Sequence, residues 1–486
     1  MSQTRLDDIR AQRLEKLNKL KELGINAYPS KFEQKHTVAL ANDSLGKKVQ
    51  TVGRIRSIRK HGKIAFFDLA DSSGQIQLWL QEASLGEKGY KLIPLLDVGD
   101  FIGVEGKVVK TKSGQVSIDV ERLVILSKSL RPLPDSWHGL KDVEERYRRR
   151  YLDLLINNET KQALQKRSLI VREMRNFLDK EDFLEVETPT LQPLYGGASA
   201  RPFVTHHNTL NTDLYLKISD ELYLKRLIIG GFEKVYEIDH NFRNEGVDKT
   251  HNPEFTMMEC YWAYADYNDI MVLTENMISA IARKVLGTTV IEFQGEKIDL
   301  KPPWQRLTMY DGIRKYLGWD PENISDKEIQ QKLKKKKTEI PGKYNRGLAI
   351  ADLFEDVEPY LIKPVFVIDM PKETTMLCKL HRNNPDLIER FEPYINGWEI
   401  GNAYSELNDP QLQRKFFEDE IAKKEAGDEE SHPMDENFIE AMEYGMPPTG
   451  GLGIGVDRIV MLLTNQPTIR DVILFPTMKK KEDGQK

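Results

Sequence analysis

The sequence predicts a multidomain α+β protein, with a small N-terminal β-barrel and a larger domain built on an antiparallel sheet flanked by helices. Three observations carry this reading. The chain has 486 residues, more than one ordinary domain holds. Short alternating segments separated by glycine turns fill residues 46–130, whereas longer helical periodicities return from residue 156 onward. Hairpin signals such as Asn396-Gly397 favour antiparallel pairing over a doubly wound parallel sheet.

Composition narrows the setting. Hydrophobic residues make up 40% and charged residues 30% of the chain, as in globular proteins. No apolar run approaches a membrane span, and the first residues lack the apolar core of a signal peptide. The two cysteines, Cys260 and Cys378, lie far apart without metal-ligand spacing. These features predict a cytoplasmic protein with no membrane partner, no structural disulfide and no cysteine zinc site. A net charge of −5 argues against a general polycation, though not against a local basic surface. The basic runs at 148–150, 332–337 and 479–481 read first as solvated faces.

Taken in order, residues 4–23 place Leu6, Ile9, Leu14, Leu17 and Leu20 at helical spacing, among basic side chains from Arg5 to Lys21. Two readings stay open for this helix: docking on the next domain, or facing RNA. Segments around Val52, Phe66, Leu78, Val104 and Ile118 alternate as five strands, with room for a helix between the third and fourth. That pattern fits an OB-type barrel, whose open face binds single-stranded nucleic acid. Leu130-Arg131-Pro132-Leu133-Pro134-Asp135 is a stiff linker. The expected domains are therefore 1–45 (helix and lead-in), 46–130 (barrel), 131–155 (linker) and 156–486 (large domain). Within the last, helical periodicity covers 159–181 and a charged surface helix falls within 320–337.

The most telling stretch is Asn241-Phe242-Arg243-Asn244-Glu245, followed by a polar loop and His251-Asn252-Pro253-Glu254-Phe255. If the strand extends through them, Arg243 and Glu245 share a face. On the returning strand Phe255, Met257, Glu259 and Tyr261 share one. An Arg for a phosphate, a Glu for an exocyclic amine and a ring for stacking suit a nucleotide. By itself such a hairpin is more often an exposed ion pair. A second site, Gly450-Gly451-Leu452-Gly453-Ile454-Gly455-Val456-Asp457-Arg458, superficially matches a dinucleotide fingerprint. Too little chain follows it for a βαβ unit, so it reads as a strand of small residues delivering Arg458 to a helix start.

Three segments in order resemble motifs 1, 2 and 3 of class II aminoacyl-tRNA synthetases: residues 183–189, the 242–255 hairpin and residues 451–458. Gly196-Gly197-Ala198-Ser199-Ala200-Arg201-Pro202-Phe203, Glu221-Leu222-Tyr223-Leu224-Lys225-Arg226-Leu227 and Glu399-Ile400-Gly401-Asn402-Ala403-Tyr404-Ser405-Glu406-Leu407-Asn408-Asp409 resemble the lysyl-tRNA synthetases more closely. The resemblance covers nearly the whole chain. It implies a class II synthetase sheet of six or seven antiparallel strands and a homodimer formed through motif 1. It further implies that L-lysine and ATP give lysyl-adenylate, and that the lysyl group then passes to the 3′ end of tRNA(Lys).

The resemblance also implies roles. Arg243 and Arg458 become catalytic; Arg243, Glu245, His251, Phe255, Glu392 and Arg458 bind ATP; Glu392 and Glu399 hold Mg2+. Gly197, Glu221, Glu259, Tyr261, Asn402, Tyr404 and Glu406 bind lysine, and Arg54, Phe66 and Gln77 meet the anticodon. From its side chain alone Phe66 could equally be a barrel-core residue. One geometric demand follows. A two-residue turn at Asn396-Gly397 pairs Tyr394 with Glu399, and strict alternation then sends Asn402, Tyr404 and Glu406 to the opposite face. One shared cavity requires a bulge or bend near Gly401. The chain departs from the family at Thr375-Met376-Leu377-Cys378, where Ser-Pro-Leu-Ala is usual. A relative that lysylates protein would lack residues 49–126, and a non-catalytic scaffold would not need Arg243, Glu245, Glu392, Glu399 and Arg458.

Overall fold

The computed structural model describes residues 3–134, 140, 142–337, 344–425 and 432–480. The end of the proline-marked linker and Lys481 lie outside these. The chain divides into two compact units, residues 1–141 and 142–486.

In the first unit five strands close into a barrel: Lys48–His61, Ile64–Ala70, Gln75–Gln81, Val116–Ser127 and Phe101–Lys110, in that spatial order. Only the third and last in sequence run parallel. Alternation fills the interior with Ile55, Phe67, Leu69, Leu78, Val104, Ile118 and Val120, all fully buried. The helix Glu82–Tyr90 occupies the predicted gap. The N-terminal helix, Gln3–Glu22, docks through its second half. Leu17 and Leu20 join the barrel core, and the Arg13 guanidinium donates to the carbonyls of Val98, Ser129 and Arg131 at 2.9–3.0 Å. Docking is thus the reading the geometry supports for that half.

The second unit carries a sheet of nine strands. Its antiparallel centre runs Val365–Pro371, Leu387–Ile395, Gly401–Ser405, Thr449–Gly455, Glu254–Ala263, Lys234–Phe242. This exceeds the six or seven strands expected because each end recruits a short parallel strand, Gln305–Thr308 and Leu184–Glu185, and the two-residue strand Trp398–Glu399 adds a hairpin arm. The helices Asn158–Lys180, Tyr267–Leu286 and Val456–Thr464 cover one face. Their buried Met174, Leu178, Met277, Ile278, Ile459 and Val460 meet Met258, Cys260 and Ile454 of the sheet. Because strand side chains alternate, Met257, Glu259 and Tyr261 project from the other face.

Two expectations need correction. The strand ends at Phe242, so Arg243 and Glu245 lie just beyond it rather than on a regular strand. The Arg150 of the basic run 148–150 is no solvated side chain: it is fully buried. It pairs with Asp153 at 2.6 Å and donates to the carbonyls of Arg470, Ile473 and Leu474. Both cysteines are free and buried. No helix among the described residues is long and apolar enough to cross a membrane.

Candidate active site

The strand hairpin Leu387–Ile395 to Trp398–Glu399 turns on Asn396 and Gly397, both at positive φ (54° and 71°), the geometry of a tight type I′ turn. Tyr394 therefore pairs with Glu399. Further along, Arg390 pairs with Tyr404 and Phe391 with Ala403, so the returning chain has gained one residue around Ile400 and Gly401. This bulge is the one the shared cavity demands. Gly401 has to be small there, since a Cβ would sit 2.5 Å from the Gly453 carbonyl. Arg390, Glu392, Tyr394, Glu399, Asn402, Tyr404 and Glu406 consequently share one face.

On that face lies a cavity of about 450 Å³. Its wall includes Gly197, Glu221, Arg243, Glu245, His251, Phe255, Glu259, Tyr261, Glu399, Asn402, Tyr404, Glu406 and Arg458. Of the residues expected in the large domain only Glu392 is absent from the lining. It sits behind it, held by Arg390 at 2.6 Å and accepting from the Tyr394 hydroxyl at 2.9 Å. Arg54, Phe66 and Gln77 belong to the barrel unit and do not line this cavity.

At one end the cavity is built for phosphate and a flat ring. The Arg243 backbone N–H still bonds the Pro253 carbonyl at 2.9 Å, which fixes the residue past the strand end. Its guanidinium lies 5.1 Å from the Phe255 ring centroid, and its buried Nε has no partner. Burial lowers the Arg243 pKa, with Glu245, Glu259 and Glu399 opposing. Such an orphaned buried donor invites an anion. Arg458, two residues into the helix that follows the glycine strand, donates to the Glu399 carbonyl and lies 3.6 Å from its carboxylate. It also reaches His251 Nε2 at 3.4 Å, while Asp248 holds His251 Nδ1 at 2.8 Å.

The other end is acidic. Glu259 accepts from Ser219 Oγ at 2.8 Å, from the Asp220 N–H at 3.1 Å and from the Tyr261 hydroxyl at 3.2 Å. Burial, then Asp220 and Glu221, push its pKa up to about 8. Glu221 accepts from the Tyr404 hydroxyl at 2.6 Å, and burial raises Glu406 well above the carboxylate range. Three buried carboxylates crowded in one cage are unfavourable without cations. Gly197, at φ 87°, presents backbone to the cage because a Cβ would lie 2.8 Å from Ser219 Oγ. Beneath it Lys217 fills a cluster of Asp220, Glu237 and Asp239, anchoring the turn that bonds Glu259.

Sequence reasoning missed several residues. Lys225 is fully buried, with its ammonium on Glu221 at 2.5 Å and on Glu406. Its one signal was the i,i+4 spacing to Glu221, which on an exposed helix is commonplace. Arg390 joins Glu392 to Asn402, donating to the latter at 2.8 Å. Gly451 gives the acids room, as a methyl group there would overlap Glu406 Oε1 and the Tyr261 ring. The departure at 375–378 lies beside this end: Thr375 and Leu377 line the cavity, and Cys378 bridges to Glu406.

On the barrel, register puts Phe66 opposite Trp79 and Asp68 opposite Gln77. Phe67 takes the core position with no exposure, so the half-buried Phe66 faces outward. Gln77 is mostly buried on the same face, its carbonyl oxygen accepting from Ser117 Oγ at 2.8 Å. Arg54 is engaged too, 4.1 Å from the Phe101 ring centroid and donating to the Gly99 carbonyl at 3.1 Å.

An antiparallel sheet with an Arg-aromatic clamp beside a glycine strand, joined to a five-stranded barrel, is the architecture of one enzyme class. Residues 142–479 match the family of class II tRNA synthetases (D, K and N), and residues 49–126 match the OB-fold nucleic acid binding domain of the tRNA anticodon-binding type. The chain belongs to this class II synthetase family. Within it, the chain is similar to the lysine–tRNA ligase of Moorella thermoacetica, 52% identical over 98% of this chain and 99% of that protein. Lysine–tRNA ligases of Pelotomaculum thermopropionicum (52% identical, 98% and 96% covered) and Syntrophomonas wolfei (50%, 99% and 99%) are similar over the same span.

Proposed function

We propose that the chain is a lysine–tRNA ligase, joining L-lysine to ATP as lysyl-adenylate and then passing the lysyl group to the 3′ end of tRNA(Lys). The observation that carries the choice of amino acid is the cage of Glu221, Glu259 and Glu406, an acidic end that suits two ammonium groups and repels aspartate. Glu259 and Glu406 take the ε-ammonium, and Glu221 with the Gly197 backbone takes the α-amine. Tyr261, Asn402 and Tyr404 complete the enclosure.

The adenylation step follows from the opposite end. The lysine carboxylate attacks the α-phosphorus, displacing pyrophosphate, and negative charge grows on the phosphate oxygens. A buried guanidinium seated over the Phe255 ring with its Nε unpartnered, as Arg243 is, can stabilise that charge where it grows. Phe255 and Arg458 sandwich the adenine, Glu245 accepts from its amine, and His251 with Arg458 meets the outer phosphates. Glu392 and Glu399 offer hard oxygen donors on one face, and burial with the Glu399 charge pushes Glu392 up to about pKa 7 despite Arg390. A divalent cation such as Mg2+ would take Glu399, and Glu392 once that acid released Arg390 and the Tyr394 hydroxyl; bound with ATP it would supply charge neutralisation for the phosphates.

The barrel face of Arg54, Phe66 and Gln77 is proposed to meet the anticodon, by stacking and edge hydrogen bonds. The exposed Leu184 and Leu191 near motif 1 support a second copy covering that edge, hence a homodimer. A cytoplasmic setting is part of this proposal, in keeping with ATP and tRNA as substrates. Lysine-dependent ATP–pyrophosphate exchange tests the reading. The wild-type protein should exchange, Glu259→Gln should lose about two orders of magnitude or more, and near-normal exchange in that variant would refute the assignment.

A further inference from the structure

We propose that Lys225 is a positioning and specificity residue: a built-in cation that keeps Glu221 and Glu406 available to the two ammonium groups of the substrate. This rests on the lysine reading of the acidic cage and deepens it.

Lys225 lies on the helix Glu221–Ile229 and has no exposed surface. It does not line the cavity, so it acts only through the acids in front of it. The ammonium takes one oxygen from each acid, Oε1 of Glu221 at 2.5 Å and Oε2 of Glu406. The other oxygens are left in defined places. Glu221 Oε2 accepts from the Tyr404 hydroxyl at 2.6 Å. Glu406 Oε1 is buried without a hydrogen-bond partner and points at Gly451, where no side chain intervenes. A buried carboxylate oxygen without a partner is a standing acceptor for a cation.

Charge counting gives the reason for a lysine here. Three carboxylates converge, and once they are ionised around a bound substrate their net charge with Lys225 is two negatives, matched by the α- and ε-ammonium groups of lysine. Burial opposes the charge on Lys225, but Glu221 and Glu406 outweigh it and raise its pKa. Tyr404 and Cys378 also lie near it, with Glu259 and Tyr261 elsewhere in the cage, and burial pushes up both hydroxyls and the thiol, so they stay neutral. Lys225 is thus the fixed positive charge of the cage. Without it a proton must take its place between the two acids, and the substrate ammonium must displace that proton.

The test compares the full-length wild type with Lys225→Met and Lys225→Gln in ATP–pyrophosphate exchange. A wild type without lysine-dependent exchange sinks the lysine reading itself; the proposal is judged once exchange is present. At about pH 6.5 the methionine variant should raise the KM for lysine about tenfold or more, with the KM for ATP nearly unchanged. Removing the cation raises the pKa of the neighbouring acids, so a rising pH ionises them again. The ratio of variant to wild-type lysine KM should therefore shrink towards about pH 8.5. The glutamine variant, which still donates to one acid, should fall between. A lysine KM within about twofold of wild type at every pH overturns the proposal. So does an equal loss in kcat and in the KM for ATP, or failure of both variants to fold, either of which makes Lys225 a structural staple.

Discussion

Arg243 and Glu259 line the same cavity: one is a cation short of an anion, the other an acid short of a cation. The Arg243 Nε has no partner, and Glu259 is pushed up to about pKa 8 by burial and by its acidic neighbours. The sign of the second effect is testable. An acid whose pKa is raised on folding contributes stability below its ordinary pKa and loses it as pH rises through the folded value. In the empty protein that loss spans the range from about pH 4.5 to about pH 8. A bound ammonium offsets it by pairing with the ionised acid. A fixed lysine concentration should therefore raise the unfolding temperature more at about pH 8.5 than at about pH 6.5. An equal gain at both would contradict the role given to Glu259.

At the scale of elements, the glycine strand Thr449–Gly455 and the bulged hairpin decide which side chains can meet. Gly451 is the sharpest case, since Glu406 and the Tyr261 ring occupy the volume a methyl group would need. Gly451→Ala should raise the KM for lysine about tenfold, through displaced acids, with a smaller change in the KM for ATP. Exchange kinetics read both, and an unchanged lysine KM would show that the strand merely packs. Much of this was legible in the sequence, because Asn396-Gly397 sets its own turn type, and the site residues that the resemblance implies could share a cavity only with a bulge near Gly401. Other features were not. Lys225 and Arg150 look like ordinary surface cations until tertiary packing buries them. The parallel edge strands are only two and four residues long, too short to carry a period. The end of the strand before Arg243 is set by the loop, to which local alternation is blind.

For the whole molecule, the proposed work is divided between the two units: the larger one holds the cavity, and the barrel is proposed to offer the face around Phe66. Alternation between Phe66 and Phe67 could not say from sequence which ring pointed inward; closure of the barrel settles it, burying Phe67. Phe66→Ala should leave ATP–pyrophosphate exchange intact while raising the KM for tRNA in charging, by about 1–3 kcal/mol of lost stacking. Equal charging by both proteins would remove Phe66 from the anticodon surface. The central claim is met most directly by charging itself. Purified protein, ATP, magnesium and tRNA(Lys) are incubated with labelled lysine, aspartate or asparagine, and acid-precipitable aminoacyl-tRNA is measured. Label should reach tRNA(Lys) from lysine alone; charging by aspartate or asparagine, or none by lysine, would contradict the lysine assignment.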